Sequence, residues 1–119
     1  MINVYETEDG VVFDMSQLEC DALRSYADGL LTDPEHPFVE LLRSQGLVVG
    51  DAPVPHLAVL LEAFSQATKV LTAWVVSPAG CRRSTFFVGP HSAVVSRCDE
   101  GGLYAGEDDL LSVWAIDSA

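Results

Sequence analysis

A chain of 119 residues, 49% of them hydrophobic, is the size of one ordinary domain and has enough apolar side chains for a core. Its net charge of −12, from eighteen acidic residues against six basic ones, argues against nucleic acid and anionic membranes as partners, because carboxylates repel phosphates. No apolar run reaches the ~18 residues of a membrane span, and the opening MINVYETEDG lacks the basic-then-apolar order of a signal peptide, so the expected location is the cytoplasm.

Taken in order, Ile2 to Glu6 and Val11 to Asp14 are short alternating runs around Glu8-Asp9-Gly10. Asp-Gly between apolar runs signals a hairpin, and the charged outer residues put it at a sheet edge. Ser16-Gln17-Leu18-Glu19 matches a capping box and starts a helix with Leu18, Leu23, Tyr26, Ala27 and Leu30 inward. Gly29 and Thr32-Asp33-Pro34 end it. Asp33 and Pro34 then cap a shorter helix through Phe38, Leu41 and Leu42, closed by Gly46. Leu47-Val48-Val49 is an apolar link.

The stretch Val54 to Ser77 is the centre of the chain. Leu57, Leu60, Leu61 and Phe64 form the stripe of an amphipathic helix that Pro55 opens. After Thr68 the run Val70 to Val76 is apolar on both faces and rich in β-branched residues, which predicts a central strand covered on both sides. A meander follows. Its strands are Cys81 to Val88, with Phe86 and Phe87 on opposite faces, Ser92 to Cys98, and a short Leu103 to Ala105. Turns at Pro78-Ala79-Gly80, Gly89-Pro90-His91 and Asp99 to Gly102 make neighbours antiparallel. Glu107-Asp108-Asp109 reads as the start of a terminal helix packing Leu110, Leu111, Val113 and Trp114, with a final strand as the alternative. The class is α+β over residues 1–119: an antiparallel β-meander with an N-terminal hairpin, three helices packed on one face and a short C-terminal helix.

The chemistry-bearing residues form no constellation. His36, His56 and His91 have no metal-ligand spacing, and His91 with Cys98 and Asp99 is a conceivable site without a supporting pattern. Cys20, Cys81 and Cys98 are odd in number and without an export signal, which predicts free thiols. Arg82 and Arg83 beside Cys81 are one of the three features that a cysteine nucleophile needs. Gly101-Gly102 follows two acids that would repel a phosphate, and the carboxylates at 107–109 lack the spacing of a calcium loop and suit helix capping. The expectation is therefore no enzyme, no catalytic residue, no metal and no cofactor.

Two global features remain. Residues 1–62 hold twelve acids and two basic residues, and residues 63–119 hold six and four. This is a solvated face or a docking surface for a basic partner. Apolar residues also occupy both faces of the predicted sheet, while helices can cover only one, so a second copy is the expected cover for the other. That predicts a homodimer through an apolar sheet face.

One family resemblance joins these features. The stretch FVELLRSQGLVVGDAPVPHLAVLLEAF is followed by Cys81-Arg82-Arg83-Ser84, by Ser92-Ala93-Val94-Val95 and by Glu107-Asp108-Asp109-Leu110-Leu111. Across about two-thirds of the chain this order resembles the EspG-like chaperones of actinobacterial type VII (ESX) secretion. Members of that family contain two related halves, so the chain would correspond to one, and a homodimer would restore the pseudo-two-fold. The resemblance implies a cytosolic protein that binds secretion substrates and keeps them soluble; the family's binding loop has no residue-by-residue counterpart here. The alternative is an acidic immunity- or antitoxin-type inhibitor of a basic toxin or enzyme.

Overall fold

The computed structural model describes residues 1–8, 10–101 and 105–117. A hairpin of β1 (Asn3–Thr7) and β2 (Gly10–Ser16) leads directly into α1 (Gln17–Ala27). The capping box forms as expected: Ser16 Oγ accepts from the Glu19 N–H at 3.1 Å, and Glu19 Oε1 accepts from the Ser16 N–H at 3.0 Å. The stretch before the last strand adds to this cap, because the Asp109 and Glu107 carbonyls accept from the Gln17 and Leu18 N–H groups.

α1 ends at Ala27, with Gly29 beyond it at φ +75°, earlier than the sequence suggested. Leu30 therefore lies outside the helix and Leu18 is exposed, and Cys20 joins Leu23 on the buried side instead. α2 (Pro37–Ser44) is capped by His36, whose Nδ1 accepts from the Phe38 N–H at 3.1 Å. Asp33, the expected cap, instead accepts from the Glu35 N–H just upstream. The apolar link becomes a small hairpin, β3 (Val48–Val49) and β4 (Ala52–Pro53). α3 (Pro55–Gln66) begins at Pro55 and buries Leu57, Leu60, Ala63 and Phe64.

The main sheet has six strands in the order β1-β2-β8-β7-β6-β5, all paired antiparallel. β5 (Lys69–Ser77), β6 (Gly80–Val88) and β7 (Ser92–Gly101) form the expected meander, except that β7 continues through Asp99 to Gly101, where the sequence predicts a turn. The expected strand at Leu103 and Tyr104 lies outside the described residues.

Two expectations are corrected. The predicted C-terminal helix is a strand, β8 (Leu110–Asp117), inserted between β2 and β7 near the middle of the sheet. Its Leu111 and Val113 alternate into the core, whereas a helix would have needed Leu110 buried as well, and Leu110 is exposed. β5 is not a central strand either. It is the sheet edge, and its burial is exposed at eight of nine positions.

α1 packs against α3, and both lie on one face over β2, β8 and β7. Phe13, Met15, Leu111, Val113, Val94, Cys98 and Phe87 point into that layer and form the core with Leu23, Leu57, Leu60 and Phe64. α2 contributes Phe38 and Leu42. Its end is tied to the start of the hairpin by Gln45, which accepts from the Ile2 N–H at 3.0 Å and donates to the Ile2 carbonyl at 2.6 Å. No helix among the described residues is long and apolar enough to cross a membrane.

Candidate functional site

Strand alternation sends every second side chain of the sheet away from the helices. Register places Tyr5, Asp14, Ser112, Trp114, Val95, Arg97, Phe86, Ser84 and Leu71 on that opposite face. No described helix covers it. Val95 is nevertheless buried, because Phe86 and Trp114 are its direct cross-strand neighbours on either side. Tyr5, Leu71, Val75, Leu110 and Ile116 stand exposed around this centre.

Polar groups thread the same face. Asp14 Oδ1 accepts from Tyr5 Oη at 3.2 Å and from Ser112 Oγ at 3.1 Å. Asp99 lies between two guanidiniums, 3.0 Å from Arg82 Nε and 3.1 Å from Arg97 Nε. Arg97 also stands 5.7 Å from the centre of the Trp114 ring, within cation–π range. A hollow of about 220 Å³ is lined by Tyr5, Val12, Arg97, Ser112 and Trp114. A larger one of about 740 Å³ adjoins it through Arg97 and Ser112 and includes Glu19 and Asp108. Of its carboxylates, Asp14 and Asp99 are held as above. Glu19 caps α1 and has the Met1 ammonium 3.0 Å from Oε2. Burial pushes the Glu19 carboxyl up, but the Ser16 N–H and that ammonium outweigh it and hold its pKa below the usual value.

On the helix face, Arg83 is only 5% exposed, with Nη2 3.0 Å from Asp109 Oδ2. The Gly106 N–H, which donates to the same carboxylate at 2.9 Å, and then Arg83 lower the pKa of Asp109. Arg24 of α1 covers the Phe87 ring at 4.5 Å, and Phe64 meets that ring edge-on at 5.2 Å. Between α1 and the outer strands runs a groove of about 310 Å³ lined by Asp21, Arg24, Thr72, Trp74, Arg83 and Thr85, among others.

The sequence candidates do not converge. His91 is in the turn before β7, and Cys98 is seven positions on, roughly 23 Å along a strand. Cys98 and Asp99 point to opposite faces, so the His91, Cys98, Asp99 site does not form. Arg82 and Arg83 follow Cys81 but are engaged by Asp99 and Asp109. The three cysteines are free, with Cys20 and Cys98 buried. Burial, then the neighbouring Asp21, pushes the Cys20 thiol up to about 12. The Glu107 and Asp109 carbonyls brace α1, and the Asp109 carboxylate holds Arg83. Among the described residues no group of His, Cys, Asp or Glu could hold a metal ion.

Sequence reasoning anticipated an uncovered apolar face but not its centre. The signal was present in the i, i+2 alternation of Ser112, Trp114 and Ile116, once these are read as a strand. No protein-family model, curated protein or solved structure matches this chain significantly.

Proposed function

We propose that this protein is a non-enzymatic protein-binding module whose docking surface is the helix-free face of the main sheet. The observation that carries this reading is the aromatic and aliphatic cluster of Tyr5, Phe86, Val95, Trp114, Ile116 and Leu71 on a face with no described helix over it. Its chemistry suits an apolar segment: rigid rings supply contact area, and Arg97, Asp99 and Asp14 supply a polar rim. The reading agrees with the resemblance to half of an EspG-like chaperone, which implies cytoplasmic binding of type VII secretion substrates.

The second reading, an acidic inhibitor of a basic protein, draws on the helical side. There Asp28, Asp33, Glu35, Glu40 and Asp51 all stand exposed. Salt separates the two readings. Purified type VII substrate proteins are titrated against the chain at low and ~0.5 M salt, with Trp fluorescence as the readout; the Debye length at the higher salt is about 4–5 Å and exposed charge attraction is mostly screened. The docking-face reading predicts binding that survives high salt and weakens at least tenfold in Trp114→Ala. Absence of binding, or binding indifferent to Trp114→Ala, contradicts it, and affinity for a basic protein that collapses in salt favours the inhibitor.

A further inference from the structure

β5 pairs with β6 along all nine of its residues, in unbroken register from Lys69 opposite Val88 to Ser77 opposite Gly80. Along its other side no described strand pairs with it. Exposed strand edges are normally guarded by short length, proline, bulges or charge, because their main-chain groups template pairing with another chain. β5 has none of these guards between Val70 and Val76. Its one charge, Lys69, is at the strand end, and the nearest proline, Pro78, is beyond it. Both faces of the strand expose large apolar groups, Val70, Trp74 and Val76 on one and Leu71 and Val75 on the other.

We propose that two copies of this chain pair edge to edge through β5, antiparallel about Ala73, joining their six-stranded sheets into one. The strand is self-complementary in that register. Leu71 meets the partner's Val75 on the open face; Val70 meets the partner's Val76 and Thr72 meets the partner's Trp74 on the helix face. Opposite residues of an antiparallel pair share a face, so apolar groups meet apolar groups at every pair but Thr72 with Trp74.

The self-complementary register selects a second copy for this edge, and charge does not oppose it, because Arg82, Arg83 and Arg97 are paired to Asp99 and Asp109. Residues 63–98 contain no acid, and they carry Lys69, Arg82, Arg83 and Arg97. Two chains of net charge −12 that meet along β5 therefore meet along a stretch of sequence without acids, the nearest helical acid, Asp21, being set across a groove from Thr72 and Trp74. Edge pairing along the nine residues of β5 adds about one main-chain hydrogen bond per residue pair. The two-fold brings the two open faces side by side, which deepens the protein-binding reading by doubling its surface.

The test is the molar mass of the purified chain by light scattering after size exclusion, for the native sequence, Leu71→Lys, Val75→Glu, a one-to-one mixture of these, and the double variant. No partner protein is present, so failure here leaves the docking-face reading standing. Both positions are more than half exposed, so the folded chain tolerates the changes, and far-UV circular dichroism checks it. The native chain is expected at twice 12.8 kDa in low and high salt. Each single variant should weaken pairing at least tenfold, and the mixture and the double variant should recover it at low salt, as each lysine meets a glutamate. A native mass of one chain at all concentrations up to about 0.5 mM overturns the proposal, that range lying far above the Kd of a standard interface. So does a dimer indifferent to both single variants, or variants that separate and are not recovered by mixing.

Discussion

The two faces of β8 differ as much as any two parts of this molecule. Val113 is fully buried beneath the helices, and Leu111 is nearly so. Leu110, one residue before, is 79% exposed, and Ile116 is 46% exposed. The residues are equally apolar, so composition does not account for their fates; α1 and α3 cover one face of the sheet and nothing described covers the other. The two edges repeat the contrast. β1 is five residues long and carries Glu6, with Glu8 just past its end; β5 is nine residues long and carries no acid. The lesson is that one side of this sheet is covered from within the chain, and the other leaves large apolar side chains exposed.

The largest expected effect tests that contrast within two adjacent residues. Leu111→Ala removes a core side chain and should lower unfolding free energy by about 2–5 kcal/mol in urea titrations. Leu110→Ala should change it by less than ~0.5 kcal/mol, as surface substitutions do. Equal losses at both sites would mean that the open face is packed in solution.

A smaller effect concerns the brace at the start of α1. Ser16→Ala should cost about 1 kcal/mol, the usual loss for a removed N-cap side chain. Acid should weaken the same region. The pKa values of Glu19 and Asp109 are lowered by folding, so their contribution is present above the unfolded carboxylate range and is lost as pH falls through the folded values. Stability measured below about pH 4, the ordinary carboxylate range, should therefore decline, and Asp109→Asn should flatten that decline. An unchanged acid limb in the variant would remove Asp109 from the brace.

The smallest perturbation is a thiol count. Cys81 is partly exposed, whereas Cys20 and Cys98 are buried. One thiol should react rapidly with an aromatic disulfide reagent at pH 8, and two only at the rate of unfolding. Rapid reaction of Cys98 would mean that the helix layer opens readily.

Local signals were legible in the sequence, and pairing was not. The Ser16–Glu19 capping box, the helix start at Pro55 and the handover from α3 to β5 each depend on residues a few positions apart. Each formed as its local chemistry requires. The segment Leu110 to Asp117 has apolar residues at spacings that satisfy both a helix and a strand. What decided it was the fit of Leu111 and Val113 against Met15 and Phe13 of β2, almost a hundred residues away. β5 misled for a related reason. Apolar residues on both faces suit a strand in the middle of a covered sheet, yet β5 lies at the edge with eight of its nine positions exposed. The candidate face was legible only as an excess of apolar residues; Trp114, Phe86 and Val95 came together through the register of three strands.

The most direct test of the account is amide hydrogen exchange along β5 at two protein concentrations. Edge pairing predicts that the outward amides between Val70 and Val76 are protected at high concentration and exchange at least tenfold faster on dilution, while those of β1 are unchanged. Exchange along β5 that is fast and independent of concentration would contradict it.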